Sequence, residues 1–267
     1  MTLAGFPAMW QFARMEAQTF LTYRVNLGLQ LLGILLQVYL LKVVWTAVYE
    51  GRTEVDGIAL GTLIAYLTLA NLQVWAIYPQ TAEVLPPRIQ SGAIALDLAR
   101  PIGLLVQLIW RSVGATLGLV ALVVVALPLA AVLGSLRPPA SAEAAVLYVI
   151  GLLLGYGITL AIGILLGLVA FWTLETHGIT ILYHFVNQFF AGALVPLWFF
   201  PDWLRTVAEL LPFQTQAFLP LSIYFGRLVG TDALRAIGVQ VVWLVILWLA
   251  AGLVWRAAIH RVVIQGG

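Results

Sequence analysis

Long apolar runs separated by short polar stretches make up most of this chain. Each run is continuous and lacks the apolar-polar alternation that a half-buried strand shows. An α-helix rises about 1.5 Å per residue, so about 20 apolar residues are needed to cross the hydrocarbon core of a bilayer. We therefore predict six transmembrane helices, at residues 25–48, 57–78, 104–133, 144–172, 178–200 and 237–259.

The predicted fold class is an all-α polytopic membrane protein. Continuous runs favour helices over a β-barrel, whose strands alternate between lipid-facing and inward-facing residues. The segments between the runs are too short to form a core of their own, so residues 1–267 are predicted to be a single transmembrane domain. Six spans place both termini on one side, and the distribution of arginines favours the cytoplasmic side. That side holds Arg14, Arg24, Arg88, Arg100, Arg256 and Arg261, against Arg52, Arg137, Arg205, Arg227 and Arg235 on the other.

Composition agrees with a protein that lives in lipid. Hydrophobic residues make up 63% of the chain and charged residues only 9%, where a soluble domain has roughly 25% charged residues. The mean hydropathy is +1.03. These values exclude a soluble enzyme and a nucleic-acid-binding module. The absence of cysteine excludes disulfides, thiolate nucleophiles and cysteine metal sites.

The sequence carries no recognisable catalytic set. A phosphate-binding loop of the form G-x-x-x-x-G-K-[ST] needs a lysine, and the only lysine, Lys42, lies inside the first predicted span. No serine stands in a G-x-S-x-G motif, and the three histidines are scattered, so we predict neither a catalytic residue nor a metal site. An ion-coupled secondary transporter or a channel-like protein remains an alternative, although such transporters usually carry acidic residues at mid-membrane, and none stands there.

Uncharged polar side chains inside the predicted spans have two interpretations. They form hydrogen bonds between helices, or they line a polar path for a substrate. The candidates for a translocation path are Gln30, Gln37, Asn71, His184, Asn187 and Gln188.

The fifth predicted span is interrupted near its end. Gly192, Pro196 and Pro201 favour a chain that breaks and re-enters the membrane, and a proline-kinked helix is the alternative. Asp202 is then expected to cap a short amphipathic helix that ends at Pro212 and lies in the membrane interface. Its polar side is expected to carry Arg205, Thr206 and Glu209, and its apolar side Trp203, Leu204, Val207, Leu210 and Leu211.

Two segments carry a pattern seen in a known family. The first reads Pro87-Arg88-Ile89-Gln90-Ser91-Gly92 and then Asp97-Leu98-Ala99-Arg100-Pro101. The second has Gly192 and Pro196, then Phe200-Pro201-Asp202-Trp203-Leu204, Leu211-Pro212-Phe213, Pro220, Gly226 and a closing Gln265-Gly266-Gly267. In this order, within a chain of this length, they resemble the permease subunits of type-2 ABC exporters, in particular a bacterial branch with separate permease and ATPase chains. The resemblance covers essentially the whole chain.

The resemblance implies partners and a location. It implies a cytoplasmic ATPase that binds ATP and Mg²⁺, a second permease subunit that is a paralogue rather than an identical copy, and contact with membrane lipid. It implies no nucleic-acid partner and no cofactor bound by this chain. The expected location is the bacterial inner membrane.

The resemblance also implies roles for three segments. Residues 9–23 become an amphipathic elbow helix, and residues 88–100 a coupling helix, for which a solvated interfacial loop is the alternative. On that coupling helix Ile89, Ala93 and Leu96 are expected to share one face, while Asp97 and Arg100 offer charges to the ATPase. The implied coupling residues are Arg88, Gln90, Ser91, Gly92, Asp97 and Arg100, and the implied outer gate consists of Gly192, Pro196, Pro201, Asp202 and Trp203.

Overall fold

The computed structural model describes residues 6–22, 24–78, 81–173 and 176–265. The last residue of the predicted elbow helix, Tyr23, and the closing residues Gly266 and Gly267 lie outside these ranges. Within them the chain forms α1 (Phe6–Thr22), α2 (Arg24–Tyr49), β1 (Glu54–Val55), β2 (Ile58–Ala59), α3 (Leu60–Ala76), α4 (Thr81–Gln90), α5 (Ile94–Leu98), α6 (Leu104–Leu133), α7 (Ala142–Leu168), α8 (Ala170–Thr173), α9 (His177–Phe190), α10 (Asp202–Glu209), α11 (Phe218–Tyr224) and α12 (Gly230–Gln265).

The prediction of an all-α polytopic membrane protein is confirmed. Among the described residues, five helical stretches are long and apolar enough to cross a membrane. The second passes over the undescribed residues 79 and 80. The five are Val25–Tyr49, Leu60–Gln90, Leu104–Leu133, Ala142–Thr173 and Gly230–Arg261.

The fifth predicted span, residues 178–200, is not one continuous helix. Its helix α9 has only 14 residues, too few to cross the hydrocarbon core alone. Gly192 follows with a φ of +78°, a conformation that glycine adopts without steric cost. A 3-10 turn at Leu197–Phe199 and the short helix α10 come next, so the backbone breaks where the glycine and prolines predict it.

Three predicted boundaries are wrong. The second membrane helix begins at Leu60 rather than at residue 57, because Asp56 and Gly57, with φ of 50° and 71°, form the turn of the β1–β2 hairpin. The last helix begins at Gly230 rather than at residue 237. Pro201, not Asp202, holds the N-cap position of α10, and Asp202 lies in the first turn without a capping hydrogen bond.

The bundle has two ends. At one end α4 and α5 follow α3, and α4 packs against the last part of α7. At the other end the β1–β2 hairpin precedes α3, and Arg227 Nη2 donates to the Gly57 carbonyl at 2.9 Å. We call these the α5 end and the hairpin end.

The backbone between α10 and α11 forms a 3-10 turn at Pro212–Thr215 with irregular chain around it, and it is held by side chains from other helices. Gln73 of α3 donates from Nε2 to the Gln216 carbonyl at 2.6 Å. Gln240 of α12 donates from Nε2 to the Thr215 carbonyl at 2.7 Å and to the Gly151 carbonyl at 2.9 Å. These bonds replace the helical hydrogen bonds that this backbone lacks, which is how irregular backbone is tolerated inside a membrane bundle.

Glycines on α7 make room for this segment. A Cβ atom on Gly155 would lie 3.0 Å from the Thr215 carbonyl oxygen, and one on Gly151 would lie 3.1 Å from Gln240 Oε1. Small residues at such spacing let backbones approach closely in membrane bundles. The segment between α10 and α11 therefore packs closely against α7, because α7 has glycines without side chains at the contact.

We predict that Gly155→Leu destabilises the protein by roughly 1–3 kcal/mol, because the added side chain must displace the backbone of residues 215 and 216. The melting temperature of the detergent-purified protein measures the effect. Gly252→Leu on α12 is the matched control, since no heavy atom lies within 4 Å of a Cβ placed there. Equal melting temperatures for the two variants would contradict the close packing of residues 215 and 216 against Gly155.

Candidate functional site

Three arginines converge on Asp97 at the α5 end. The Asp97 side chain is only 3% exposed. It forms an ion pair with Arg88 through Oδ2, and its Oδ1 lies 3.5 Å from Arg100 Nη1 and 4.0 Å from Arg111 Nη2. These residues come from α4, α5 with the turn after it, and α6. A buried carboxylate is stable only when it is paired, and here the pairing joins three elements of the chain.

A buried glutamine fixes α5 to α6 at the same place. Gln107 donates from Nε2 to the Asp97 carbonyl at 2.8 Å and to the Ile102 carbonyl at 2.7 Å. Its Oε1 accepts from Arg100 Nη1 at 3.4 Å. The end of α5 is thus attached to the first turn of α6 by hydrogen bonds as well as by charge.

The elbow helix α1 joins this cluster through an aromatic ring. The Cζ atoms of Arg100 and Arg111 each lie 5.6 Å from the centre of the Phe12 ring, within the range of a cation–π interaction. Nearby, Ala13 packs directly against Gly114 of α6, where a Cβ atom would clash with the Ala13 backbone. We define Arg88, Asp97, Arg100 and Arg111 as the Asp97 cluster.

The geometry corrects two expectations for residues 88–100. Asp97 faces into the protein and is saturated by its own chain, so it offers no charge to a partner. Gly92, with a φ of +74°, separates α4 from α5, and this break sends Ile89 and Leu96 in different directions. Ile89 packs on the core, whereas Leu96 is 71% exposed.

Gln90, Ser91 and Gly92 are exposed at this end, and Ser91 Oγ donates to the Pro87 carbonyl at 2.8 Å. Arg100 is also largely exposed, while Arg88 is half-buried. The implied coupling residues therefore divide into a group inside the Asp97 cluster and a group on the surface.

A cavity of about 610 Å³ lies on the α5 side of the bundle. The helices around it are α2, α3, α6 and α9, together with the beginning of α4. Its lining consists of Asn26, Gln30, Val74, Trp75, Tyr78, Glu83, Leu119, Ile181, His184, Phe185 and Gln188.

Three of the six predicted path residues, Gln30, His184 and Gln188, line this cavity. Two of the others form hydrogen bonds between elements. Gln37 Oε1 accepts from Trp75 Nε1 at 3.3 Å, and Asn71 Nδ2 donates to the Ala193 carbonyl at 2.9 Å. Hydrogen bonding between elements is thus seen for Gln37 and Asn71, while a role in a substrate path stays a prediction for the residues that line the cavity.

Asn187, the sixth candidate, is buried outside the cavity lining. Its Oδ1 has no hydrogen-bond partner among the described residues.

The predicted outer gate lies at the break after α9. A Cβ on Gly192 would come within 2.9 Å of the Tyr66 hydroxyl, so both space and backbone conformation require glycine. Pro196 holds the N-cap position of the 3-10 turn, and Pro201 holds that of α10. Asp202 and Trp203 are exposed on α10.

Arg205 joins α10 to the 3-10 turn before it, although it was predicted to lie on the polar side of the amphipathic helix. Its Nη2 donates to the Trp198 carbonyl at 2.6 Å and its Nε to the Leu197 carbonyl at 3.2 Å. No role was assigned to Gln107 or Glu83 from the sequence. A role for Arg111 could have been suspected from the sequence, because it is the only charged residue inside the predicted span 104–133.

The described residues contain no group of three or more His, Asp or Glu side chains that could hold a metal ion. The structure has three other features. The Asp97 cluster lies at the α5 end, the cavity lies in the same half of the bundle, and the helix break after α9 lies toward the hairpin end.

Comparison with known proteins agrees with this arrangement. The sequence model of a family described as ABC-2 family transporter protein matches residues 35–266. No curated protein matches the sequence. The matched region runs from within α2 to the end of α12 and includes α4, α5, the cavity helices and the broken segment. The chain is therefore an integral multi-pass membrane protein that belongs to the ABC-2 transporter family, as a membrane component of an ABC transport system.

Proposed function

We propose that this chain is the permease subunit of an ATP-driven exporter and forms half of its translocation path. A separate cytoplasmic ATPase binds ATP and Mg²⁺ and supplies the energy. The protein lies in the bacterial inner membrane with both termini in the cytoplasm, so the α5 end faces the ATPase. A second permease subunit, a paralogue of this chain, completes the path.

The observation that carries this proposal is the Asp97 cluster. A displacement of α4 or α5 moves α6 through the contacts of Arg111 and Gln107, and it moves α1 through the contact with Phe12. Helix α6 has 30 residues and reaches the hairpin end, so it carries the displacement across the membrane. The Asp97 carboxylate is enclosed by three guanidinium groups. It therefore connects elements of this chain, a connection that we call the joint, and does not bind the ATPase directly.

The surface that receives the ATPase lies beside this joint. Gln90, Ser91 and Gly92 are exposed at the turn between α4 and α5, and Leu96 projects from α5. An exposed leucine surrounded by small and polar residues suits the centre of a protein contact, since burial of its side chain contributes about 1.5–3 kcal/mol.

The second permease fits the side of the bundle formed by α2 and α9. Helix α2 carries exposed Asn26 and half-buried Gln30 on a side that is otherwise apolar. Polar side chains are poorly placed against lipid tails and well placed against another protein. A partner on this side would also cover the part of the cavity wall that α2 and α9 supply.

We predict that Leu96→Asp prevents co-purification of the ATPase, because a carboxylate cannot be buried in an apolar contact without a partner. Leu210→Asp on α10 is the matched control, since Leu210 is also 71% exposed but lies away from the α5 end. Pull-down from membranes measures the ATPase retained by each variant. Retention by Leu96→Asp equal to that of the wild type would overturn the proposed docking surface.

We predict that Asp97→Asn breaks the joint, because hydrogen bonds to a charged carboxylate contribute roughly 1.5–3 kcal/mol each and a neutral amide cannot hold three guanidinium groups. The chain has no cysteine, so an environment-sensitive fluorophore on Trp203→Cys reports only the hairpin end. ATP should change its emission in the complex, and Asp97→Asn should abolish that change while the ATPase remains bound.

The control for this experiment is Asp232→Asn. Asp232 pairs with Arg235 on the surface of α12, at 3.1 Å, and both side chains are mostly exposed. Its replacement should leave the ATP-dependent signal intact. A full signal in Asp97→Asn would show that the joint does not transmit the displacement.

A further inference from the structure

The 610 Å³ cavity has the size of a site for a small organic molecule, which typically occupies about 300–1,000 Å³. It lies in the half of the bundle nearest the α5 end, where α3 ends and α9 begins. Its accessible walls are mostly apolar carbon, with a few polar groups among them. This combination predicts an amphipathic occupant.

Aromatic rings form much of the wall. Trp75, Tyr78 and Phe185 line the cavity together with His184. The rings of Tyr78 and His184 meet edge to face, with centres 5.9 Å apart. The negative faces of such rings attract cations and stack on flat aromatic ligands.

The charge of the lining has one sign. Among the described lining residues Glu83 is the only charged side chain, and no arginine or lysine is present. The arginines of the Asp97 cluster are not part of the wall and already face a carboxylate. The Tyr78 hydroxyl donates to Glu83 Oε1 at 3.0 Å, which fixes the carboxylate at the cavity wall.

The amide side chains of the wall carry no charge. The side-chain oxygens of Gln30 and Gln188 are buried and have no hydrogen-bond donor within the described part of the chain. Among the described lining residues Glu83 alone therefore sets the sign of the charge.

We propose that this cavity binds an amphiphilic cation, a protonated amine or N–H-bearing aromatic cation attached to an apolar body. Glu83 faces the positive charge, and the aromatic rings hold the apolar body. The assignment of this ligand as transported substrate rests on the function proposed above, whereas its binding does not.

Two sources can supply such a ligand. One is a soluble cationic amphiphile that enters from the cytoplasm, and the other is a lipid whose headgroup carries an ammonium group. Both share the chemistry that Glu83 recognises, and they differ in whether membrane lipid competes for the cavity.

The test measures binding of rhodamine 6G, a cationic xanthene with N–H groups, by fluorescence anisotropy. The protein is the intact complex purified from membranes, held without nucleotide in nanodiscs of phosphatidylglycerol. After subtraction of the binding of each dye to nanodiscs without protein, wild type should bind rhodamine 6G at least about tenfold more tightly than fluorescein, an anionic xanthene. Glu83→Gln should weaken rhodamine 6G binding by about tenfold, and Glu83→Asp should restore part of it.

Glu143→Gln is the matched control, because Glu143 lies in the first turn of α7 as Glu83 lies in the first turn of α4, but at the hairpin end. It should leave the dissociation constant unchanged. Unchanged affinity in a folded Glu83→Gln variant, or equal binding of fluorescein, would overturn the proposal. Because no nucleotide is present, these results are independent of whether an ATPase drives transport.

A second set of nanodiscs, containing phosphatidylserine, separates the two sources, because this lipid carries an ammonium group at the same net charge as phosphatidylglycerol. Weaker rhodamine 6G binding in these nanodiscs supports the proposal with a lipid ammonium group as the natural occupant. Unchanged binding supports it with a soluble cation. Loss of ATPase co-purification in Leu96→Asp with rhodamine 6G binding intact would separate the cavity from the coupling surface.

Discussion

The whole bundle depends on satisfying the backbone of the chain between α9 and α11, where short helical turns alternate with irregular segments. A membrane interior offers no water to unpaired N–H and C=O groups, so other helices must supply the partners. Gln73 of α3 and Gln240 of α12 donate to the carbonyls of residues 216 and 215, and Asn71 donates to that of residue 193. Arg205, which belongs to the segment itself, donates hydrogen bonds to carbonyls of the 3-10 turn. The glycines of α7 then provide the space in which this arrangement packs.

The α5 end solves a different problem, the burial of a charge. Asp97 is enclosed, and its neutralisation comes from residues on three elements rather than from one partner. Removing any arginine leaves the others in place, whereas removing the carboxylate leaves like charges facing one another. The cluster is therefore most sensitive at Asp97, although Asp97 is the member least able to touch another protein.

Much of the fold follows from the apolar pattern, and the all-α membrane class and the family resemblance are both confirmed. The third predicted span matches α6 at both ends, because Gly103 precedes it and Gly134 follows it where the helix stops. The second span was placed too early because its first residues, though apolar, pair as a hairpin through a turn at Asp56 and Gly57. The break after α9 was predictable, since glycine and proline act locally.

The site was less predictable, because its partners are distant in sequence. That Asp97 faces inward depends on Arg111 and Gln107 of another helix, and periodicity along residues 88–100 contains no such information. Glu83 escaped notice because a glutamate at a helix start is ordinary, and only the fold places it beside Trp75 and His184. The roles given to the coupling residues and to the outer gate stay predictions.

The cross-helix amide bonds limit how this protein changes shape. Because carbonyls of the irregular segment are bonded to α3 and α12 at once, separating those two helices would strand polar backbone in hydrocarbon. Gln240 also bonds α7, which ties a third helix to the same point. Helices connected in this way keep their mutual distances while the group as a whole rotates. Under the function proposed above, large movements are therefore expected at the surface between this chain and the second permease, with this chain moving as a rigid body.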